Sequence, residues 1–350
     1  MTSSLIAKFT FSIFPQMTGD HSMFPGPYLN ASTLPCLPSS MLPVATSQPY
    51  VATQSPLPNT FADFYAHLYS SHATLLVNLT PQWEQVGGHK MRKGHRYWPP
   101  SNQKTGTSES TDIGGGWKVQ VVAHEADNTL LEHMGRRRFD EARDWRIIKR
   151  LLKVTPPSDW AETQPDDYAA CLCRCSTSRH RNGLLPKLSP VRSDCQDGRS
   201  RLIEMIHVEH WRDGGDATGD NFVRLVELVA DHQRRQRQQG EQSDSVAAGA
   251  KTCAPPIWVH CSAGIGRTGT LIAGLIAREI VLSPPGGDCS EDETQLRRRL
   301  TEEISSVALT VQIWCHMRTR RSGLITTAEQ AMMIWTEIER LKRQRESGQE

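Results

Sequence analysis

The stretch Val259-His260-Cys261-Ser262-Ala263-Gly264-Ile265-Gly266-Arg267-Thr268-Gly269-Thr270 decides how this chain is read. Just upstream, Ile257-Trp258-Val259 is a bulky, apolar run of the kind that forms a short buried strand. Downstream, Leu271, Ile272, Leu275, Ile276 and Ile280 recur at helical spacing, which predicts a helix over Thr268 to Leu282. The loop between them therefore feeds a helix N-terminus, where the first N–H groups lack intrahelical acceptors and favour an anion. Gly264 and Gly266 permit the backbone angles that turn such donors inward. Arg267 adds a planar fork of donors able to hold two phosphate oxygens at once. The same field favours the thiolate form of Cys261. The segment is thus suited to binding a phosphate dianion on Ser262, Ala263, Gly264, Ile265 and Gly266 and attacking its phosphorus with Cys261. A buried thiol in a glycine-rich turn is the plain alternative. Such a turn does not require Cys, Arg and Thr together at these positions.

Phosphoryl transfer from a poor leaving group also needs a proton donor. The strand-like Leu202-Ile203-Glu204-Met205-Ile206 leads through Trp211 and Arg212 to Asp213-Gly214-Gly215. Asp213 is the candidate acid and Trp211 its aromatic hinge. A solvated Asp in a glycine turn is the ordinary fate of such a residue. The Trp, the helical Phe222 to Val229 that follows and the position upstream of Cys261 weigh against it here.

Taken together, these residues resemble the cysteine-dependent protein tyrosine phosphatases, as a non-receptor-like, fungal-type catalytic domain shortened at its N-terminus. The resemblance extends from about Tyr28 to Ile338. Tyr28-Leu29-Asn30-Ala31-Ser32 is similar to the family's Tyr-Ile-Asn-Ala-Ser strand. Tyr50 to Pro56 is similar to its Tyr-Ile-Ala-Thr-Gln-Gly-Pro segment, and Lys93 to Pro99 to its Lys-Cys-x-x-Tyr-Trp-Pro segment, with Gly94 replacing the cysteine. The resemblance implies a phosphocysteine route in which His260 orders the thiolate and the Thr268 hydroxyl steadies it as it leaves. It also implies that Arg321 braces the site and Gln330 helps place the hydrolytic water. Two residues depart from the family pattern: Arg212 stands in place of proline in the acid loop, and Thr326 in place of the main water-positioning glutamine. Those departures keep a phosphotyrosine-binding pseudophosphatase open. The absence of an Asn/Arg–Tyr recognition motif from Met1 to Pro27 keeps a broader-specificity protein phosphatase open.

The implied fold is α/β, a central mixed twisted sheet flanked by helices. The catalytic domain is expected over 28–341, after an irregular 1–27 and before a tail at 342–350. Insertions are expected near 101–116, 156–200 and 233–256, where Ser/Thr/Gly, Pro/Asp/Arg/Cys and Arg/Gln composition replaces periodicity. Further strands are expected over Thr74 to Leu79, Trp117 to His124, Trp145 to Leu152 and Leu202 to His207, a helix beginning at Phe61, and a last helix over Thr327 to about Leu341.

The 350 residues carry a formal net charge of +2, which is too near neutral for a nucleic-acid partner. No apolar run is long enough for membrane insertion. Nine irregularly spaced cysteines point to a reducing, cytoplasmic setting. The Cys171-Leu172-Cys173-Arg174-Cys175 cluster lacks the two-residue gaps of a zinc site. No metal or cofactor is therefore expected, and the implied partners are phosphotyrosine-containing proteins. The runs Arg136 to Arg138 and Arg297 to Arg299 read as solvated faces, and a charged, solvated helix end is the plain alternative for Arg318 to Arg321. The oligomeric state is not fixed by any of these features.

Overall fold

The structure is a computed structural model. It describes residues 29–34, 42, 44, 46, 48–102, 104–126, 145–160, 199–211, 219–243, 254–282 and 291–348. Its frame is an eight-stranded mixed sheet in the order β1-β2-β10-β3-β9-β8-β7-β6. In chain order these are β1 (Ala31–Leu34), β2 (Tyr50–Gln54), β3 (Leu75–Asn78), β6 (Thr111–Asp112), β7 (Lys118–Ala126), β8 (Ile147–Thr155), β9 (Arg201–Val208) and β10 (Ile257–Cys261). A separate antiparallel hairpin joins β4 (Trp83–Val86) to β5 (His89–Arg92). The helices are α1 (Phe61–Ser70), α2 (Gly219–Ser243), α3 (Gly266–Leu282), α4 (Glu291–Arg298), α5 (Ser306–Arg318) and α6 (Ala328–Glu346).

Strands β2, β10, β3 and β9 run parallel, and β1, β8, β7 and β6 extend the sheet in antiparallel fashion. The two central strands β3 and β10 are buried throughout, which is why Leu75-Leu76-Val77 and Ile257-Trp258-Val259 read as unbroken apolar runs rather than alternating ones. Successive side chains enter different cores. Leu75, Val77, Ile257, Val259 and Cys261 pack with α2, α3, α5 and α6, whereas Leu76 and Trp258 pack with α1, Tyr97 and Trp117. Helix α3 is apolar on nearly all sides and lies beneath the sheet, buried from Gly266 through Ala277. In open α/β sheets the crevice beyond the carboxyl ends of parallel strands is where ligands bind. Cys261 is the last residue of β10, so it stands at that edge.

Three expected boundaries shift. Gln233 to Ser243, read as the opening of an insertion, continue α2 because Arg and Gln are good helix formers and outweigh the single Gly240. The last helix passes its expected end at Leu341 and runs to Glu346, where Lys342 donates to the Ile304 carbonyl at 2.6 Å. Within 101–116, Thr111–Asp112 pairs with β7. Residues 161–198, with the Cys171–Cys175 cluster, and Arg136 to Arg138 lie outside the described residues. Among the described residues no helix is long and apolar enough to cross a membrane.

Candidate active site

The loop between β10 and α3 is only Ser262 to Ile265. Its carbonyls are drawn outward. Ser262 O accepts from Ser55 N at 3.0 Å, and Ile265 O from Gly269 N at 3.0 Å and Ile325 N at 3.2 Å. Ala263 O accepts from Arg321 Nη2 at 3.0 Å. Three of the four loop carbonyls, those of Ser262, Ala263 and Ile265, are thus committed to surrounding structure. Among the described residues, no acceptor takes the N–H groups of Ser262 to Gly266. Gly264 sits at φ +71°, and a Cβ there would fall 2.1 Å from the Thr53 carbonyl oxygen. A Cβ on Gly266 would fall 2.8 Å from both Gln330 Nε2 and Thr326 Oγ1. Gly264 is therefore dictated by the turn and by the backbone pressed on it, whereas Gly266 is crowded only by side-chain ends of the late segment.

Arg267, in the first turn of α3, is fully buried. Its Nη1 donates to Glu84 Oε1 at 2.8 Å and to the Trp211 carbonyl at 2.6 Å. The guanidinium is thus fixed by a carboxylate from the β4–β5 hairpin and by the hinge of the candidate acid loop. Trp211 is itself immobilised. It stacks on Trp145 with ring centroids 4.6 Å apart, and Phe222 meets it edge-on at 6.1 Å.

His260 is buried behind the nucleophile. Its Nε2 lies 2.6 Å from the Tyr97 hydroxyl and its Nδ1 3.2 Å from the Cys261 carbonyl. Burial, and to a smaller extent Arg267, lower its pKa from 6.5 to about 4, so the ring is neutral near pH 7. The Nδ1–H then donates to the Cys261 carbonyl and Nε2 accepts from Tyr97. His260 thus bears on Cys261 through the backbone carbonyl. Thr268 Oγ1 is buried with no hydrogen-bond partner among the described residues. A buried hydroxyl left so costs about 1–3 kcal/mol, a cost consistent with a donor reserved for something that binds. Ser262 Oγ donates to the Lys93 carbonyl at 2.9 Å, which ties the loop to the segment before Tyr97 and Trp98.

The late segment closes over the same loop. Gln330 Oε1 accepts from Thr326 N at 2.8 Å and Thr326 Oγ1 at 3.1 Å. The amide nitrogen of Gln330 is thereby turned toward Gly266. Arg321 bridges Ala263 O to Ser32 Oγ, the latter at 3.3 Å. Arg318 is not a solvated helix end. It donates to the Leu324 and Ile325 carbonyls at 2.9 Å each.

The structure therefore brings together Cys261, Arg267, Thr268, His260 and Gln330 with Ser262, Ala263, Gly264, Ile265, Gly266 and Trp211. Arg212 and Asp213 lie outside the described residues. Sequence reading missed Glu84, whose only signal was a carboxylate in an otherwise undistinguished polar stretch. Among the described residues, no group of three or more His, Cys, Asp or Glu side chains is placed to hold a metal ion.

Comparison with known proteins agrees with this geometry. The family model described as protein-tyrosine phosphatase matches residues 15–201 and 160–339. Human tyrosine-protein phosphatase non-receptor type 14 is 26% identical over 226 residues, covering 64% of this chain and 13% of that protein. Receptor-type tyrosine-protein phosphatase F of Danio rerio is 23% identical over 287 residues, covering 82% of this chain and 10% of that protein. The chain thus spans about a tenth of the length of these curated relatives. The crystal structure of the Trypanosoma cruzi protein tyrosine phosphatase TcPTP1 superposes with a TM-score of 0.53 at 19% identity, over 96% of this chain and 78% of that one.

Proposed function

The chain belongs to the protein-tyrosine phosphatase family, and from that premise we propose that it hydrolyses phosphotyrosine in proteins through a phosphocysteine intermediate. The observation that carries the proposal is the anion loop. Its carbonyls are bonded outward, and its guanidinium is buried and held on two sides. Preorganised donors of this kind stabilise charge on a transferring phosphoryl group without reorganising during reaction.

In the first step the Cys261 thiolate attacks phosphorus in line. The sulfur–phosphorus bond forms, the bond to the tyrosine oxygen breaks, and Asp213 gives that oxygen its proton. The amides of Ser262 to Gly266 and Arg267 hold the three remaining oxygens. In the second step water attacks phosphorus and gives a proton to Asp213. The sulfur–phosphorus bond breaks and the thiolate leaves toward the Thr268 hydroxyl. Gln330 places the water. Fixed donors and one guanidinium neutralise the phosphoryl group, so the route needs no metal or cofactor. The substrates are phosphotyrosine-containing proteins, and the cysteine usage fits a cytoplasmic setting.

One contact favours a second reading, a slow or binding-only phosphatase. Thr326 occupies the Gln330 carbonyl and carries no amide of its own. Kinetics on p-nitrophenyl phosphate, a phosphotyrosine peptide and a phosphoserine peptide separate the readings. The proposal expects turnover of the first two, loss of turnover in Cys261→Ser and a large kcat loss in Asp213→Ala. Turnover that survives Cys261→Ser removes the covalent route. Tight phosphopeptide binding without turnover supports the second reading, and equal rates on both peptides support broad specificity.

A further inference from the structure

Ser262, the residue after the nucleophile, is held from two sides. Its carbonyl accepts from Ser55 N at 3.0 Å, and its hydroxyl donates to the Lys93 carbonyl at 2.9 Å. Strand β2 delivers Ser55 to this place, since its last residue, Gln54, pairs with Cys261 in the parallel register. A trans peptide points its C=O and its N–H in opposite directions. The bond from Ser55 to the Ser262 carbonyl therefore sets the direction of the Ala263 N–H, one of the donors of the anion loop.

The two segments that hold Ser262 meet each other at Gly94. A Cβ there would lie 3.2 Å from Ser55 Oγ and 3.3 Å from Thr80 Cγ2. Gly94 is not among the glycines at positive φ, so its backbone accepts a side chain and only the lack of room opposes one. Thr80 is pinned, because its N–H donates to Asn78 Oδ1 at 2.9 Å and its carbonyl accepts from His207 Nε2 at 3.0 Å. Ser55 is buried, so its hydroxyl has little space in which to turn aside. A side chain at 94 must then displace Ser55 or Lys93, and each of them carries one of the bonds to Ser262. The segments this chain resembles place glycine where Ser55 stands and cysteine where Gly94 stands. A side chain has thus passed from one segment to the other across a single contact.

We infer that Ser55 and Gly94 are a matched pair of positioning residues, in which the Ser55 side chain fills the space that a side chain at 94 would take, and the resulting spacing fixes the Ser262 peptide and the aim of the Ala263 N–H. The inference rests on the reading of the anion loop as the phosphate seat. Both residues act through Ser262. Oxyanion affinity and turnover then depend on the combined volume at 55 and 94, not on either residue alone.

The test is a double-mutant cycle that moves the hydroxymethyl group across the contact: Ser55→Gly, Gly94→Ser and the two together. Each protein is read by kcat on p-nitrophenyl phosphate, by melting temperature and by the vanadate concentration that protects Cys261 from iodoacetamide. Gly94→Ser should lower both kcat and vanadate affinity by about tenfold, and Ser55→Gly by about threefold, while the exchanged double variant recovers to within about twofold of the wild type, a coupling of the size seen between residues in contact. Variants that melt earlier yet bind vanadate as the wild type does would show mere packing and overturn the inference. So would a double variant no better than Gly94→Ser. If Gly94→Ser does not fold, Gly94→Ala closes the cycle in its place: joining Ser55→Gly to it must tighten vanadate binding, and unchanged affinity refutes the pair. Wild-type protein that vanadate protects but that leaves p-nitrophenyl phosphate intact overturns the hydrolytic reading alone, and the protection measurements still decide the pair. Wild-type protein that vanadate does not protect overturns the phosphate seat and the pair with it.

Discussion

Replacing Glu84 by alanine removes the carboxylate that faces Arg267 while leaving the guanidinium with nowhere to go. The pair is 2.8 Å apart, and the two side chains are 0% and 6% exposed for Arg267 and Glu84. Removing one partner of a buried ion pair typically costs about 3–5 kcal/mol, because the remaining charge is uncompensated. The Trp211 carbonyl still accepts from Nη1, which places Glu84→Ala at the lower end, about 3 kcal/mol. Against a total stability of about 5–15 kcal/mol this is a large fraction. With about 2 °C lost per kcal/mol in a long chain, the melting temperature should fall by roughly 6 °C. Glu84→Gln keeps an oxygen acceptor and loses only the charge, so it should fall between the two. The distinctive consequence concerns anions. Vanadate bound in the loop supplies the missing negative charge, so it should raise the melting temperature of Glu84→Ala by more than it raises the wild type. Thermal unfolding by circular dichroism, with and without vanadate, measures both quantities. An unchanged melting temperature, or equal vanadate stabilisation of the two proteins, refutes the argument that Glu84 balances a buried Arg267.

Three further outcomes follow from the same contacts. Gly264→Ala would drive a Cβ to 2.1 Å from the Thr53 carbonyl at a positive φ, so urea denaturation should show a loss of about 3 kcal/mol or more together with loss of turnover. His260 and His207 are held neutral, mainly by burial, with pKa values lowered from 6.5 to about 4 and about 3, so the folded state resists protons that the unfolded chain accepts. Stability should therefore be level above pH 7 and fall as the pH drops from about 6.5 toward 4, by up to about 1.4 kcal/mol per pH unit per histidine; a urea midpoint constant from pH 8 to pH 5 would contradict this. Gln330→Ala should slow breakdown of the phosphoenzyme, so that kcat drops about tenfold, KM drops with it and a burst of product appears, whereas Thr326→Gln should raise kcat; stopped-flow traces with neither change would remove the late segment from the hydrolytic step.

Much of the fold was legible because its central features are local. The apolar Ile257-Trp258-Val259 and the helix that follows the loop announce a strand–turn–helix unit, and β10 and α3 form within two residues of where periodicity places them. Glu84 was not legible, because its meaning comes from Arg267, 183 residues away, and β5 beside it is exposed throughout with no alternation to mark a strand. Helix α5 escaped notice for a different reason. Ser306 to Arg318 is rich in Val, Thr, Ile and Trp, which favour strands, and its helical form is set by the Ser305 cap and by packing of Leu309, Ile313 and Met317 in the core. A charged, solvated helix end stayed the plain alternative for Arg318 and Arg321, because arginine usually lies on the surface. Only the folded chain shows the carbonyls of Leu324, Ile325 and Ala263 waiting for them.

The Arg321 bridge between Ser32 and Ala263 has a bearing on biogenesis. Ribosomal synthesis delivers Ser32 first, the nucleophile much later and Arg321 later still. Until that arginine emerges, the sulfur can be present in a chain whose cradle is still unshaped. The cradle should therefore take shape only after residue 321 has left the ribosome, and a polypeptide released short of it would carry the thiol without the means to use it.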